Sequence, residues 1–351
     1  MKIGITTFHW GTNYGAVLQA FALQQYLERC GYEVEIINYV PFKVKALQML
    51  SLIKNHKPAE LLKEYRLNKF RKKYLKMSKG IYHNSASLKS NCHKYDSYIC
   101  GSDQIWNEWF VLSSEANPNL SCYLDFAKTD KARISYATSF GTDKLSDKVV
   151  NLIKPELQKF KKISVRENTG KAIVENMGLH AALAADPTLL LKRESYERLM
   201  ENKRIKERYQ LFSYILHENQ VTAKAANDYV FRKYFRAGID KKYNGEPIGI
   251  LEWLYNVKNA KFVVTNSFHG AIFSIIFHTP FVVVPVENSG MNDRIATLLN
   301  AVDLTGRMIE TFDEATIDIA INQPINWDQV DERVCFLRDI AHDFLKNALS
   351  K

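Results

Sequence analysis

The alternation of apolar and polar positions divides the chain into short apolar runs separated by segments of helical length. Residues 261–266 (KFVVTN) and 281–286 (FVVVPV) are β-branched runs, and 271–278 between them (AIFSIIFH) has the length of a helix. Strands that are apolar at nearly every position are typical of parallel sheets buried on both faces. The pattern therefore predicts a strand, a helix and a second strand of a parallel sheet.

The same alternation recurs on both sides of a charged segment at 192–208. We predict strands at 2–8, 33–39, 95–100, 133–138, 163–168, 185–189 and 209–216. A chain of 351 residues is too long for one ordinary core. We therefore expect an α/β domain at 1–200 with a helical insert at 43–80, a second α/β domain at 201–325, and a C-terminal helix at 326–351 that packs back on the body.

Composition places the chain among globular proteins, with no apolar run long enough to cross a bilayer. The first residues predict a strand and not a signal peptide. The five cysteines are scattered, without the spacing of a metal site. We therefore expect a cytoplasmic protein with reduced thiols, no structural metal and no cofactor.

The net charge of +10 comes largely from the segment 43–79, where apolar and basic residues alternate at helical spacing. A solvated helix pair explains this pattern. The alternative is a surface that meets an anionic membrane or a lipid-linked acceptor, which would place the protein peripherally at the inner membrane face. No nucleic-acid-binding motif accompanies the charge, and nucleic acid is not an expected partner.

The loop SFHG at 267–270 joins the predicted strand at 261–266 to its helix. In open α/β sheets, ligands bind at the carboxyl ends of the strands, and the next helix directs its N-terminal amides at the same place. His269 thus follows a strand beside a potential anion site. The alternative is a capping or surface histidine, with Gly270 required only by the turn.

Two loops of the first half carry polar and aromatic residues after predicted strands. The loop HWGTNYG at 9–15 has two glycines that allow backbone amides to converge on a ligand, but it matches no nucleotide-binding motif. The loop GSDQIWN at 101–107 combines hydrogen-bonding groups with an indole, which suits a carbohydrate. The alternative is a helix cap at Ser102 or Asp103 with Trp106 in the core. The predicted acceptor-binding residues are Asn13, Tyr14, Ser102, Asp103, Gln104, Trp106 and Asn107.

Two arginines are candidates for binding an anion, because a guanidinium forms paired hydrogen bonds with carboxylate or phosphate. Arg166 ends the predicted strand at 163–168, where a structural partnership involving Glu167 is the alternative. Arg294 ends the polar loop ENSGMNDR at 287–294, which also contains Asn288 and Ser289.

With these residues in place, the chain resembles the polysaccharide pyruvyl transferase family. The resemblance is carried, in family order, by GTNYGAVLQAFALQQYL, YICGSDQIWN, ISYATSFG, ISVRENTG, DPTLLL and VVTNSFHGAIFSIIF, followed by PFVVVPV. These segments cover nearly the whole chain. The resemblance implies two Rossmann-like domains facing across a cleft, as in one class of glycosyltransferases, with the acceptor on the first domain and the donor on the second.

The activity implied by the resemblance is transfer of an enolpyruvyl group from phosphoenolpyruvate, as co-substrate, to two hydroxyls of a sugar or glycan in cell-surface polysaccharide biosynthesis. His269 matches the family's acid/base histidine, and Arg166 matches an arginine that holds the donor. Many members carry an arginine at the position of Ser267, and we expect Arg294 to replace it. The expected donor-binding residues are Ser267, Gly270, Ala271, Asn288, Ser289 and Arg294, and the amides of Gly270 and Ala271 would receive phosphate oxygen.

Two rival hypotheses remain open. A nucleotide-sugar-dependent glycosyltransferase of the double-Rossmann type would need a ribose-binding carboxylate, for which Glu287 is the candidate. A sugar-binding relative without catalytic activity would explain Ser267. Stabilisation by phosphoenolpyruvate and not by a nucleoside diphosphate would favour the transferase.

Overall fold

The computed structural model describes residues 1–41, 44, 50, 58–115, 118–201, 205, 208–216, 221–243, 245–287, 289–309 and 312–350. The chain forms two compact units, Met1–Leu190 with Leu337–Lys351, and Leu191–Phe336. Each unit is built on a parallel sheet, so the prediction of two Rossmann-like α/β domains is confirmed. Within the described ranges, no helix is long and apolar enough to span a membrane.

The first unit contains a five-stranded parallel sheet in the order β3-β2-β1-β4-β5. Single parallel bridges at Ile134–Lys162 and Thr138–Val165 connect it to a further parallel pair, β6 and β7. The strands are β1 (Lys2–Thr6), β2 (Glu33–Tyr39), β3 (Met77–Tyr82), β4 (Ser97–Cys100), β5 (Ala132–Ser135), β6 (Ser164–Val165) and β7 (Ala182–Leu183). β4 is buried along its whole length, as expected for a central strand covered on both faces.

The helices of the first unit alternate with these strands. They are α1 (Tyr14–Arg29), α2 (Pro58–Tyr74), α3 (Ser85–Asn91), α4 (Glu108–Ser113), α5 (Asp147–Leu157), α6 (Asn168–Asn176) and α7 (Pro187–Leu190). The predicted helical insert at 43–80 contains α2, but its end forms β3, which pairs with β2. Residues 43, 45–49 and 51–57 of the insert lie outside the described residues.

The predicted strand at 185–189 is wrong, because this segment turns into α7. The Asp186 carboxylate accepts hydrogen bonds from the Thr188 amide (3.0 Å) and the Thr188 hydroxyl (2.7 Å). Pro187 begins the helix, where proline's fixed φ fits and its missing N–H is not needed. The local cap therefore gives a helix where a strand was predicted.

The second unit contains a four-stranded parallel sheet in the order β11-β10-β8-β9. Its strands are β8 (Leu211–Tyr214), β9 (Lys242–Tyr243), β10 (Phe262–Thr265) and β11 (Phe281–Val283). Its helices are α8 (Arg193–Met200), α9 (Val221–Tyr234), α10 (Ile250–Asn259), α11 (Phe268–Phe277), α12 (Asp293–Ala301) and α13 (Glu314–Asn322). The predicted strand-helix-strand at 261–286 corresponds to β10, α11 and β11.

The domain boundary differs from the predicted one. The division falls between residues 190 and 191, so α8 belongs to the second unit and not, as predicted, to the first. The predicted C-terminal helix is α14 (Trp327–Leu349), and its residues from Leu337 onward belong to the first unit. Arg338 Nε donates to the Leu189 carbonyl oxygen at 2.5 Å, which fastens this end of α14 to the first unit.

Candidate active site

A buried hydrogen-bond network joins the loops after β1 and β4 in the first unit. The Gln19 amide nitrogen donates to Thr7 Oγ1 and to the Phe8 carbonyl oxygen, both at 2.9 Å. The Gln19 amide oxygen accepts from the Ser102 backbone N–H at 3.1 Å. Because Gln19 is completely buried, losing these bonds would leave its amide group without a hydrogen-bond partner, since water does not reach it. The network therefore fixes both loops relative to the sheet.

His9 is a structural histidine of this network. Its Nδ1 lies 3.1 Å from the Thr7 carbonyl oxygen and its Nε2 lies 3.3 Å from Asn38 Oδ1. Burial lowers the pKa of His9 to about 4, so its imidazole is neutral at neutral pH. Both ring nitrogens are engaged with the protein, which gives His9 a role in packing the loop after β1.

Arg166 follows β6 and is surrounded by carboxylates. Its Nη1 lies 2.8 Å from Asp186 Oδ2, its Nη2 3.6 Å from Asp103 Oδ1, and its Nε 4.0 Å from Glu167 Oε2. Burial lowers the pKa of Arg166, but attraction to Asp186, Asp103 and Glu167 outweighs it and raises the pKa above its usual value. The guanidinium side chain is only 2% exposed.

These contacts change the interpretation of Arg166. A guanidinium beside three carboxyl groups has no surplus positive charge for a phosphate or a carboxylate, and a second anion there would be repelled. The alternative of a structural ion pair describes these contacts, and its main partner, Asp186, comes from a different part of the sequence. Donor binding by Arg166 stays a prediction.

The loop after β4 carries most of the predicted acceptor-binding residues. A Cβ atom at Gly101, whose φ is +117°, would lie 2.1 Å from the Tyr136 carbonyl oxygen, so only glycine fits there. Ser102 is fully buried, with Oγ 2.8 Å from the Ala137 carbonyl oxygen. Ser102 is therefore a structural residue and not an acceptor contact as predicted. Asp103 is 8% exposed and Gln104 is half-buried, and both remain predicted acceptor contacts.

The prediction that Trp106 stacks on a sugar is wrong. Its indole is fully buried, lies parallel to the Tyr123 ring at 5.2 Å, and donates from Nε1 to the Cys122 carbonyl oxygen at 3.0 Å. Asn107 caps α4 through a hydrogen bond from the Trp109 amide to Oδ1 (3.1 Å). The alternative interpretation, with Trp106 in the core, is correct.

The loop after β1 is likewise closed by its own hydrogen bonds. Asn13 is the N-cap of α1 and accepts from the Ala16 amide at 3.2 Å. Tyr14 is fully buried, with the Lys63 ammonium 4.8 Å from its ring centroid. The prediction that Tyr14 contacts the acceptor is therefore wrong. Asn13 is exposed, and its contact with the acceptor stays a prediction.

An aromatic surface that the sequence interpretation missed lies beside this loop. We call Phe8, Trp10, Trp109 and Phe110 the aromatic surface. Phe8 lies 5.2 Å from Trp10 and 4.5 Å from Phe110 between ring centroids, and Trp109 lies 5.3 Å from Phe110. Trp109 is 43% exposed. The sequence WNEWF indicates this surface, because it places aromatic residues on both sides of the α4 cap. The prediction assigned the acceptor contact to Trp106 and not to Trp109.

In the second unit, Ser267 and Gly270 determine how α11 begins after β10. Ser267 is the N-cap, and its Oγ accepts from the Gly270 amide at 3.4 Å. A Cβ at Gly270 would lie 2.4 Å from Thr265 Oγ1, so the helix approaches its strand closely only with glycine there. The Ala271 amide donates to the Ser267 carbonyl oxygen at 3.1 Å. Both amides thus have acceptors within the helix cap, and their binding of phosphate stays a prediction.

His269 occupies the first turn of α11 at the carboxyl end of β10. It is 6% exposed, and its ring lies 5.3 Å from the Phe268 ring. Close by, Asn266 bridges the ends of two strands, because its Oδ1 accepts from the Leu216 amide at 2.6 Å and its Nδ2 donates to the Leu216 carbonyl oxygen at 2.7 Å. His269 thus stands at a rigid strand end of the kind at which α/β proteins bind ligands.

Arg294 lies beside the same helix start. Its guanidinium carbon is 5.8 Å from the Phe268 ring centroid, a cation–π distance. The structure therefore brings Arg294 close to Phe268, the residue preceding His269, although Arg294 and Phe268 are 26 positions apart in the sequence. The side chain is half-buried.

The loop before α12 is held by Asn292, whose Oδ1 accepts from the Val286 amide at 3.0 Å. Ser289 caps the turn that follows and accepts from the Met291 amide at 3.3 Å, and its role in donor binding stays a prediction. The predicted contact by Asn288 lies outside the described residues. Glu287 is exposed and accepts a hydrogen bond from the Thr222 hydroxyl.

Neither group of candidate residues contains a metal cluster. In the part of the chain that the structure describes, no three His, Cys, Asp or Glu side chains are grouped to hold a metal ion. Arg294 lies beside the ring of Phe268, the residue preceding His269. The first unit instead presents carboxylates, amides and aromatic rings, which are groups that bind neutral hydroxyl-rich ligands.

One comparison with known proteins shows a family, and another shows a fold. The polysaccharide pyruvyl transferase family model matches residues 13–288, and no curated protein matches the sequence. UDP-GlcNAc 2-epimerase from Neisseria meningitidis bound to UDP-GlcNAc is similar at TM-score 0.53 and 11% identity, over 99% of this chain and 100% of that chain. UDP-N-acetylglucosamine 2-epimerase from Rickettsia bellii is similar at TM-score 0.55 and 8% identity, over 99% and 96%. These similarities show the fold alone.

Proposed function

Because the chain belongs to the polysaccharide pyruvyl transferase family, we propose that it transfers the enolpyruvyl group of phosphoenolpyruvate to two hydroxyls of a sugar. The product is a cyclic pyruvate ketal, and phosphate is released. The observation that supports this most strongly is the placement of His269 in the first turn of α11, next to Phe268, whose ring the Arg294 guanidinium contacts. A titratable ring and a guanidinium are the groups that a doubly acidic donor requires.

The reaction divides into two additions. In the first, a sugar hydroxyl oxygen forms a bond to C2 of the donor while the methylene carbon C3 takes up a proton and becomes a methyl group. In the second, the other hydroxyl forms its bond to C2 as the C2–O bond to phosphate breaks. Of the two hydroxyl protons, one balances the proton taken by C3 and the other is carried away by phosphate.

His269 is proposed to move a proton in this sequence, either to C3 or from the attacking hydroxyl. Arg294 is proposed to hold the carboxylate or phosphate of the donor.

The acceptor is proposed to bind to the first unit. Asp103 is the most exposed of the acidic groups around Arg166 and can accept hydrogen bonds from sugar hydroxyls. Trp109 and Trp10 offer ring faces on which the C–H face of a sugar can stack. The proposed acceptor surface therefore consists of the aromatic surface and Asp103, and it replaces the predicted contact by Trp106.

Arg294 can be tested by thermal shift, without any acceptor. Phosphoenolpyruvate at a hundred times its Kd is expected to stabilise the wild-type protein by about 2.7 kcal/mol, whereas UDP has no effect. Arg294→Ala is expected to weaken donor binding by roughly ten- to a hundredfold, because a charge-assisted hydrogen bond is lost. Arg232→Ala, which removes an exposed arginine of α9, serves as the control. Stabilisation by UDP and not by phosphoenolpyruvate would instead favour a nucleotide-sugar enzyme.

Trp109 can be tested by steady-state kinetics with an accepted glycan. Trp109→Ala is expected to raise the KM for the glycan by roughly three- to tenfold, since one stacking face is lost, and to leave the KM for phosphoenolpyruvate unchanged. Phe336→Ala removes an aromatic ring that is 65% exposed elsewhere and should change neither value. An unchanged glycan KM in Trp109→Ala would remove the aromatic surface from the acceptor site.

A further inference from the structure

Helix α2 presents an apolar and basic face on the side opposite its packing against α1. Its inner face packs through Leu67 and Phe70, with Phe70 lying 5.8 Å from Phe21 of α1 between ring centroids. On the opposite side, three large apolar side chains within five residues of one helix are left in contact with solvent. They are Leu61, which is 52% exposed, Leu62, which is 41% exposed, and Tyr65, which is 68% exposed.

The same outer face becomes cationic in the second half of the helix. With 3.6 residues per turn, Lys69, Lys72 and Lys73 project on the side that carries the exposed apolar residues, and all three lysines are exposed. By the same count, both acidic residues of α2 lie on the inner side, and one of them, Glu64, is paired with Arg71 at 2.7 Å. The outer face thus presents two apolar turns followed by two basic turns.

We propose that this face of α2, defined by Leu61, Leu62, Tyr65, Lys69, Lys72 and Lys73, docks on an anionic membrane surface. Apolar side chains enter the boundary between headgroups and acyl chains, while lysines remain at the level of the phosphates. A nucleic acid would use the lysines but leave the leucines in water. A second copy of the chain would bring the same lysines close together, at an electrostatic cost. Only an anionic lipid surface satisfies both halves of the face.

This inference does not depend on the proposed chemistry, because membrane docking requires neither His269 nor a donor. It would keep the first unit, which carries the proposed acceptor surface, close to lipid. Binding through lysines is expected to weaken as salt rises, because ionic screening shortens the reach of surface charges. Binding through apolar side chains persists at high salt, so the two contributions can be separated.

The test is co-sedimentation of the full chain with vesicles of phosphatidylglycerol and phosphatidylcholine, compared with pure phosphatidylcholine. The wild-type protein is expected to sediment with the anionic vesicles alone. Changing Lys69, Lys72 and Lys73 together to Gln should weaken binding on the order of a hundredfold, at about fivefold for each lysine near the surface. Changing Leu61, Leu62 and Tyr65 together to Ser should weaken it about tenfold or more.

Matched controls distinguish this face from nonspecific adsorption. Ile319→Ser removes an apolar side chain that is 63% exposed on α13, and Lys128→Gln with Lys144→Gln removes two exposed lysines of the first unit. These variants should bind vesicles like the wild type. Because every substituted side chain is exposed, the far-UV circular dichroism spectrum and the thermal midpoint should stay unchanged.

A second measurement uses Tyr65→Trp, whose added indole fluorescence should shift to shorter wavelength with anionic vesicles and be quenched by brominated lipid. Equal sedimentation of the wild type and both triple variants, or an added indole fluorescence that does not respond to anionic vesicles, would overturn the proposal. Concentration-dependent dimerisation that is lost in the Leu61, Leu62 and Tyr65 variant, without vesicle binding, would also overturn it in favour of a second copy. Binding to duplex DNA that depends on the same lysines, without vesicle binding, would overturn the proposal in favour of a nucleic acid.

Discussion

Replacing His269 with alanine is expected to lower phosphate release from phosphoenolpyruvate by about a hundredfold to ten-thousandfold, the range for a lost acid/base group. The substitution should lower kcat, because the imidazole takes part in the proton-transfer step. His269→Gln keeps a hydrogen-bonding side chain of similar reach but cannot exchange a proton near neutral pH, and it should be equally slow. Release is measured as inorganic phosphate in the presence of an accepted glycan.

The other end of the same helix supplies the control. His278 ends α11 in a left-handed conformation, stacks on Trp327 at 4.9 Å, and lies 2.9 Å from Asp331. His278→Ala should therefore retain turnover while disturbing packing around Trp327. Phosphoenolpyruvate should still stabilise His269→Gln in a thermal shift assay, because Arg294 is intact. Turnover by His269→Ala equal to that of the wild type would exclude the proton-transfer role.

Removing Arg166 is expected to have a large effect on stability. Arg166→Met leaves Asp186, Asp103 and Glu167 buried without their cation, and breaking a buried ion pair in this way costs about 3–5 kcal/mol. The variant should unfold at a clearly lower urea concentration than the wild type, as measured by circular dichroism. Exposed Arg29→Met in the same unit is the control and should change the midpoint little.

A double-variant cycle separates this structural role from donor binding. Arg166→Met combined with Asp186→Asn should recover part of the lost stability, because a neutral amide no longer needs the guanidinium. If Arg166 also held the donor, Arg166→Met would lose its thermal shift with phosphoenolpyruvate, and adding Asp186→Asn would not recover that shift. That result would support the sequence-based prediction.

Much of the fold could be predicted because strand burial leaves a direct mark on the sequence. The runs that form β1, β2, β4, β8, β10 and β11 are largely buried, and no helix pattern competes with them. β3 was missed because its sequence MSKGIY is polar and lies in a basic segment. Edge strands of this kind need little apolar surface, so their sequence gives no comparable signal.

The site was harder to predict, because burial decides the role of each side chain and burial is a tertiary property. Trp106 and Trp109 are three positions apart in one motif, yet the first is fully buried and the second is 43% exposed. Arg166 was recognised as following a strand, but its main partner Asp186 sits in a segment predicted to be a strand. The location of His269 after a strand could be predicted, because it depends only on the order of strand, loop and helix along the sequence.

The central claim is that phosphoenolpyruvate binds at the start of α11, and the most direct measurement is a crystal structure of the protein with this donor at saturating concentration. We expect the phosphate or carboxylate of the donor within hydrogen-bonding distance of the Arg294 guanidinium, and its C2–C3 bond next to the His269 ring. A donor bound among the carboxylates around Arg166, or a crystal that takes up UDP at α11 and excludes phosphoenolpyruvate, would contradict it.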